Sequence, residues 1–264
     1  MGKIADDKLA DDGKKNFLWA KGHMAALTHI AAKSAKSKPL EGVTVGVCLH
    51  VTKETSVLID SLLLAGAEVK LSAANPISTQ DDIAAYIATR AEVWAWRGED
   101  GKEYDWCIRQ VLASNPDIVI DDGADLNVAA NLGHVKSVKG GCEETTTGVI
   151  RLKALEKDGK LGYPVIAINN AKTKYLFDNR FGTGQSTFDG ILRATALLIA
   201  GKKVVVVGYG WVGKGVAKRA RGLASRLSSE PLAQARRLLA EGRRQGLAGG
   251  DRASGCAVTD QRAG

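Results

Sequence analysis

The sequence predicts an α/β protein, with a doubly wound parallel-sheet domain followed by the start of a second α/β domain. Short apolar strands alternate with helical segments between residues 43 and 168, which is typical of a parallel sheet with helices on both faces. Four consecutive valines at 204–207 suit a strand buried on both faces. The glycines that follow, Gly208, Gly210 and Gly213, have the G-x-G-x-x-G spacing of a Rossmann dinucleotide-binding turn.

The elements follow in a regular order after a helical leader over residues 1–40. The predicted strands are 43–49, 67–73, 92–96, 117–120 and 164–168, and the predicted helices are 54–66, about 79–90 and about 102–114. A helix over 185–200, with a capping box of Ser186 and Asp189 and an end at Gly201, connects this sheet to the valine strand. We therefore expect a first domain over 1–185, and a hinge helix with the first βα unit of a Rossmann domain over 186–222.

The composition changes after residue 222. All 22 lysines lie at or before Lys218, whereas 9 of the 15 arginines lie at or after Arg219. A Rossmann domain needs a second strand here that ends in an acid about 20 residues after the first glycine. Glu230 has that spacing, but the residues before it make a poor strand, so chance placement is the better interpretation. The sequence predicts that 223–264 is an aberrant tail rich in Arg, Ala and Gly, produced by a frame shift or a misassembled gene end.

Charge and composition exclude several classes of protein. The net charge is +8, but residues 219–264 carry +5 of it, and aromatic residues are sparse, so nucleic-acid binding is disfavoured. The sequence has no apolar run near the ~20 residues that span a bilayer and no signal peptide. The four cysteines lack metal-ligand spacing with the histidines. We expect a cytoplasmic protein with reduced thiols, no metal and no membrane association.

Polar residues follow the predicted strands, at the edge where parallel sheets bind ligands. For any one of them a loop cap or a solvated polar residue is the more ordinary interpretation, but four clusters at one edge favour a site. The clusters are His50, Thr52 and Glu54; Asn75, Ser78, Gln80 and Asp81; Asp121 and Asp122; Asn169 and Asn170.

Two further segments contain side chains that could bind a ligand or take part in a reaction. Residues 143–148, EETTTG, could offer hydroxyl and N–H groups to a ribose or a carboxamide, or could be an N-capped helix that begins near Thr147. In AKTKYLFDN, Lys174 and Asp178 are four residues apart. This spacing favours a simple ion pair, worth ~0.3–0.5 kcal/mol, although a lysine near carboxylates could also act as a base.

Together these segments resemble the S-adenosylhomocysteine hydrolase (adenosylhomocysteinase) family, and its archaeal and thermophilic-bacterial branch in particular. The similarity spans about 43–222. It rests on CLHVTKET, ANPISTQDD, VWAWRGE, DDGADL, EETTTGV, KTKYLFDNRFGTGQSTFDGI and GYGWVGKGVAKRARG, which occur in the family's order.

The resemblance implies a role for each matching residue. It implies that adenosine is bound by His50, Thr52, Glu54, Thr55, Ser78 and Gln80, with Glu54 reading the adenine amino group. It implies that the ribose and its chemistry are served by Asp122, Glu144, Lys174, Asp178 and Asn179. It implies that NAD is held by Thr145, Thr146, Thr147, Asn179, Gly208, Gly210, Val212 and Gly213.

The implied activity is the NAD-dependent, reversible hydrolysis of S-adenosylhomocysteine to adenosine and homocysteine, a step of the methionine cycle. The ribose 3′ carbon is oxidised with help from Lys174, Asp122 removes the C4′ proton, homocysteine leaves, water adds, and the ribose is reduced. The family also implies a cytoplasmic homotetramer when full length.

The sequence departs from the family in three places. Family members continue for some 200 residues after the break, so we expect an incomplete and inactive form that binds NAD weakly. Asn170 replaces a usual aspartate, and residues 127–142 differ, which puts the role of His134 in doubt. The alternatives are a non-catalytic adenosine-binding fragment or regulatory partner of a full-length paralogue, and, without the resemblance, an ordinary NAD-dependent dehydrogenase.

Overall fold

The computed structural model describes residues 2–133 and 135–223, together with the backbone of 226–230 and 256–259. The chain divides into two compact units, Met1–Asn169 and Asn170–Gly264. The boundary therefore falls at 169/170, before the helix that was expected to form the hinge. His134 lies outside the described residues, as do residues 224–225, 231–255 and 260–264 of the tail.

The first unit contains a six-stranded sheet in which every strand pair is parallel. Its strand order is β3-β2-β1-β4-β5-β6. The strands are β1 Thr44–Leu49, β2 Glu68–Ala73, β3 Glu92–Trp94, β4 Ile118–Asp121, β5 Gly140–Glu143 and β6 Val165–Ala167. The helices are α1 Ala10–His23, α2 Ala25–Ser37, α3 Lys53–Leu64, α4 Asp81–Ala88, α5 Gly101–Ala113, α6 Asp125–Leu132 and α7 Thr146–Lys157.

Alternate residues of β1 enter two separate apolar clusters, one on each face of the sheet. Val45 and Val47 pack with residues of α3 and α4 such as Ile59 and Ile83. Cys48 lies in the cluster that contains residues of α5 and α6. Because side chains alternate along a strand, this division confirms the prediction of a doubly wound sheet.

Two elements of the first unit, α6 and β5, were not predicted. Strand β5 begins Gly140-Gly141, and glycine has low strand propensity. At Gly141 an added Cβ would lie 2.5 Å from Asn127 Oδ1 of α6. The glycine therefore leaves room for the Asn127 side chain, and this tertiary packing hid the strand in the sequence.

The second unit is described by itself. It contains α8 Lys172–Tyr175, a π-helical turn Asp178–Gly182, α9 Thr183–Thr195, β7 Lys203–Val207 and α10 Trp211–Gly222, with β8 Arg226–Glu230 and β9 Cys256–Thr259. Strand β7 is the centre of a three-stranded sheet, with β8 parallel on one side and β9 antiparallel on the other.

Two predictions for α9 were wrong. The helix that was expected to end at Gly201 ends at Thr195, where Ala196 takes a left-handed conformation. Ser186 lies inside that helix, and its hydroxyl donates to the carbonyl oxygens of Gly182 and Thr183, so it does not cap the helix in a capping box.

The segment before Glu230 was expected to be a poor strand, yet it forms β8, and Glu230 lies opposite Val207. Strand formation depends strongly on the neighbouring strand, and β7 offers an edge with which even polar residues can pair.

Candidate active site

The ends of β1 and β4 and the loop after β2 bring together three of the predicted site residues. His50 Nδ1 lies 2.5 Å from Ser78 Oγ, and His50 Nε2 lies 3.5 Å from Asp122 Oδ2. The Ser78 hydroxyl also lies 3.0 Å from Asn75 O, to which it donates. This arrangement holds the imidazole in one orientation, with its other nitrogen facing a carboxylate.

The remaining residues that were assigned to the adenosine site lie at the start of α3, except for Gln80, which is the N-cap residue of α4. Thr52 is the N-cap residue of α3, and Gln80 Oε1 accepts from Lys53 N at 3.0 Å. Thr55 Oγ1 donates to His50 O at 2.6 Å. Glu54 lies in the first turn of α3 and is exposed. The N-terminal end of this helix therefore carries several hydrogen-bonding groups next to His50.

The loop after β4 carries Asp122, and its backbone is unusual. Gly123 has a φ of +111° and Ala124 a φ of +66°, a conformation that costs a non-glycine residue about 1–2 kcal/mol. The Asp122 N–H donates to Cys48 O at 3.0 Å. The loop therefore turns sharply at the strand end and leaves the Asp122 side chain 16% exposed beside His50.

The loop after β5 carries Glu144 and the three threonines. The Glu144 N–H donates to Asp121 O at 3.0 Å, and the side chain of Glu144 is exposed. Helix α7 begins at Thr146, and its N-cap residue Thr145 makes no side-chain capping hydrogen bond. Thr146 Oγ1 instead accepts from Asn169 Nδ2 at 3.1 Å, while Thr147 is exposed. The expected helix start is present, but the expected threonine cap is not.

Sequence reasoning placed Asp121 and Glu143 in polar clusters but did not predict that both acids are buried behind these loops. Asp121 and Glu143 are each 0% exposed. Burial raises the pKa of Asp121 to about 7, and the neighbouring Glu143 adds to the shift. Burial also raises the pKa of Glu143. The two acid doublets did contain a signal for this, because successive strand residues point to opposite faces.

The second unit holds the lysine that was predicted to assist catalysis. Lys174 Nζ donates to Asn179 Oδ1 at 2.8 Å and lies 3.7 Å from Asp178 Oδ2. The i,i+4 ion pair that the spacing favoured is therefore present. The lysine side chain is 16% exposed, so its ammonium group is oriented by an amide and a carboxylate together.

The glycine-rich turn between β7 and α10 has the geometry that its spacing predicted. Gly208 has a φ of +91°, which glycine adopts readily. A Cβ at Gly213 would collide with the carbonyl oxygen of Gly208, whereas one at Gly210 would have no atom within 4 Å. Gly210 is the N-cap residue of α10, and Val212 lies in its first turn. The turn thus leaves an open approach to the N-terminal end of a helix, where phosphates bind.

The site residues therefore form two groups, one in each unit. Within the described parts of residues 2–223, no cluster of three His, Cys, Asp or Glu side chains could hold a metal ion. The same described segments contain no helix long and apolar enough to cross a membrane. Cys48, Cys107 and Cys142 are free thiols.

Comparison with known proteins identifies the family. Residues 2–137 match the S-adenosyl-L-homocysteine hydrolase family, and residues 179–232 match the NAD binding domain of S-adenosyl-L-homocysteine hydrolase. The second match extends through β8, so this part of the predicted aberrant tail resembles family sequence.

Curated relatives are similar over most of the chain. An adenosylhomocysteinase of Sulfurisphaera tokodaii is 56% identical over 228 residues, which cover 85% of this chain and 55% of that protein. The adenosylhomocysteinase of Sulfolobus acidocaldarius is 54% identical with the same coverage. An S-inosyl-L-homocysteine hydrolase of Methanocaldococcus jannaschii is 52% identical and covers 84% of this chain and 55% of that protein. The chain thus spans about half the length of the curated relatives it matches.

Proposed function

The chain belongs to the S-adenosyl-L-homocysteine hydrolase family, and on that premise we propose that it carries the adenosine-binding part of an NAD-dependent S-adenosylhomocysteine hydrolase. The observation that carries the proposal is the group of His50, Ser78 and Asp122 at the carboxyl edge of a parallel sheet, with an imidazole between a hydroxyl and a carboxylate. Such an edge is where open α/β sheets bind their ligands.

In this proposal the first unit binds the nucleoside. The first turn of α3 presents Glu54 to the base, where its carboxylate would accept the amino protons of adenine. The same side of the site would be lined by Thr52, Thr55 and Gln80. The ribose would contact Asp122 and Glu144. The supporting observation is that hydrogen bonds fix Thr55 and Gln80 at the N-terminal end of α3, where Thr55 donates to His50 O and Gln80 accepts from Lys53 N.

NAD is the cofactor of the matched second domain, and the residues present fit it. The open approach at Gly210 and the N-terminal end of α10 suit a pyrophosphate, with Val212 and Gly213 in the same turn. Thr145, Thr146, Thr147 and Asn179 would serve its nicotinamide side. When bound, NAD supplies reversible oxidation at the ribose 3′ carbon.

The residues of this chain would move the protons of the reaction. Lys174, oriented by Asn179 and Asp178, would act in its neutral amine form and take the proton of the 3′ hydroxyl to become an ammonium group. The 3′ ketone acidifies the C4′ hydrogen, and Asp122 would remove it as a general base. Homocysteine then leaves from the 5′ carbon, water adds there, and the ribose is reduced. Glu144 would stay beside the ribose and hold its hydroxyls.

A second candidate function is the same reaction on a substrate that carries hypoxanthine in place of adenine. The relative named S-inosyl-L-homocysteine hydrolase is 52% identical to this chain, close to the 54% of an adenosylhomocysteinase. Hypoxanthine has an N1–H donor and a carbonyl where adenine has an acceptor and an amino group. Calorimetric titration of the chain with adenosine and with inosine separates the two: tighter binding of inosine would favour the inosyl substrate.

The catalytic roles are tested in a chimera of residues 1–222 with the C-terminal part of the Sulfurisphaera tokodaii relative. Lys174→Ala should remove most turnover while adenosine affinity stays within about tenfold, because its proton moves only during 3′ oxidation. Asp122→Asn should let NADH absorbance build up but block exchange of the C4′ hydrogen with solvent. The reverse pattern would exchange the two roles, and unchanged turnover in both variants would contradict them.

We further propose that the full-length protein is a cytoplasmic homotetramer, as the resemblance implies. Sedimentation of the chimera would test the assembly: a monomer that turns over substrate would contradict it.

A further inference from the structure

Asp121 and Glu143 occupy matched positions at the ends of two neighbouring strands. They face each other in the register of β4 and β5, and both are 0% exposed. Each directly precedes an acid of the proposed site, Asp122 or Glu144. Because side chains alternate along a strand, each doublet turns its first carboxyl inward and its second toward the strand ends.

The two buried carboxyls accept hydrogen bonds from the loops that carry the outer acids. Asp121 accepts from Asp122 N at 3.0 Å and from Asn127 N at 2.7 Å. Glu143 Oε1 accepts from Gly123 N at 2.9 Å and from Thr145 N at 2.8 Å. Glu143 therefore joins the loop after β4 to the start of α7 through a single oxygen.

Other groups hold the same loop from its outer side. Arg151 of α7 donates to Gly123 O and to Asp125 Oδ1, and the Tyr104 hydroxyl donates to Asp125 Oδ2 at 2.9 Å. Gly123 is thus held through both its N–H and its carbonyl group. This support explains how the chain keeps the left-handed conformation of Ala124, which costs free energy by itself.

The space for Glu143 depends on Gly148. A Cβ at Gly148 would collide with the Glu143 carboxyl group. Glycine inside a helix costs about 1 kcal/mol relative to alanine. The pair of acids is costly too, since a buried carboxylate without full hydrogen bonding destabilises the fold, and Glu143 Oε2 has no hydrogen-bond partner within the described chain. An apolar strand end would avoid both costs.

We propose that Asp121 and Glu143 are positioning residues, which clamp the loop of Asp122 to the start of α7 and so hold Asp122 and Glu144 toward the ribose. The clamp itself consists of the hydrogen bonds described above, whereas the purpose assigned to it rests on the proposed function.

The test compares Glu143→Leu, which removes the acceptor, with Glu143→Gln, which keeps a carbonyl oxygen there. Amide hydrogen exchange of Gly123 and Thr145 is followed by NMR in the full chain. Glu143→Leu should speed exchange at both amides by about tenfold, the effect of losing one net hydrogen bond. Glu143→Gln should leave both amides near the wild-type rate.

Asp117→Leu is the matched control. Asp117 precedes the other end of β4, where its carboxylate accepts from Thr44 N at 2.9 Å, so its loss also removes a backbone acceptor from the sheet. Exchange at Gly123 and Thr145 should stay at the wild-type rate in this control. Unchanged exchange in Glu143→Leu, or equal acceleration in the control, would overturn the clamp.

Adenosine affinity, measured by calorimetry, tests the purpose of the clamp. Glu143→Leu should weaken binding about tenfold, and both Glu143→Gln and Asp117→Leu should stay within about threefold of wild type. Accelerated exchange with unchanged affinity would overturn the positioning role. If the wild-type chain does not bind adenosine, the proposed function fails while the exchange result still decides the clamp. Should Glu143→Leu not fold, Gly148→Ala displaces the same carboxyl and should accelerate the same two amides.

Discussion

Lys38 ends α2 in a left-handed conformation with a φ of +43°, and its side chain is exposed. Left-handed backbone costs a residue with a Cβ about 1 kcal/mol relative to glycine. Lys38→Gly should therefore raise the free energy of unfolding by about 1 kcal/mol, as measured by urea denaturation. In Lys36→Gly, two residues earlier within the helix, the same change should lower it by a similar amount.

Glu54 is the residue on which base recognition depends in the proposed function. Its carboxylate lies at the exposed first turn of α3, and we expect adenosine to bury it. Glu54→Ala should then weaken adenosine binding by ~1–3 kcal/mol, as measured by calorimetry. The exposed Glu41 offers a control, since Glu41→Ala should leave the dissociation constant unchanged. Equal affinity in both variants would remove Glu54 from the site.

Glu99 is a buried acid far along the chain from the acid doublets. Its Oε1 accepts from Trp96 N at 2.8 Å, and burial raises its pKa to about 7. The folded state therefore holds this proton at pH values where the unfolded chain has released it. Stability should fall as the pH rises from about 4.5 to about 7.

Glu99→Gln keeps a carbonyl oxygen that can accept from Trp96 N and removes the carboxyl group that ionises. The stability of this variant relative to wild type should increase as the pH rises through that window, as measured by denaturation at several pH values. Glu156→Gln, at an exposed position, serves as the control. A constant difference between Glu99→Gln and wild type would show that Glu99 ionises normally.

At the scale of the element, Gly213 and Gly210 of the turn between β7 and α10 are expected to be needed for different reasons, folding and NAD binding respectively. Gly213→Ala places a Cβ against the carbonyl oxygen of Gly208 and should destabilise this unit by about 1–3 kcal/mol, despite the better helix propensity of alanine. Gly210→Ala meets no atom within 4 Å and should change stability by less than about 0.5 kcal/mol.

NAD titration gives the second measurement on this turn. A methyl group at residue 210 would occupy the approach that a pyrophosphate needs, so Gly210→Ala should weaken NAD binding while it leaves folding intact. Weak NAD binding was expected from the sequence because a second strand seemed to be absent, but β8 provides that neighbour for β7. Equal NAD affinity in Gly210→Ala and wild type would place the pyrophosphate elsewhere.

At the scale of the whole molecule, strong local patterns made most of the fold predictable. The β-branched runs of β1 and β7 and the helix end near Gly66 identified the alternation and the parallel sheet. Strands β5 and β8 were missed because glycine and serine carry no strand signal, and their pairing depends on neighbours that are distant in sequence. The early end of α9 was missed because an apolar pattern continued beyond Thr195.

The local geometry was predictable where the pattern was distinctive, as with the glycine turn and the Lys174–Asp178 spacing, while the roles assigned to these residues stay predictions. The burial of Asp121 and Glu143 was not predicted, since two consecutive acids are typical of a solvated loop until the strand ends are known. Their burial follows from the register of β4 and β5, which only the folded sheet defines.

The strand order β3-β2-β1-β4-β5-β6 also has a consequence for the chain as it leaves the ribosome. Strand β1 emerges first and becomes central, and every later strand adds to an edge that already exists, so no strand must insert between two others. Until β4 arrives, however, the nascent sheet presents the open edge of β1, whose residues Val45 to Leu49 are all apolar except for Gly46. An unpaired apolar edge is a site of aggregation. The interval between synthesis of residues 94 and 118 is therefore the period when newly made chains most need a chaperone.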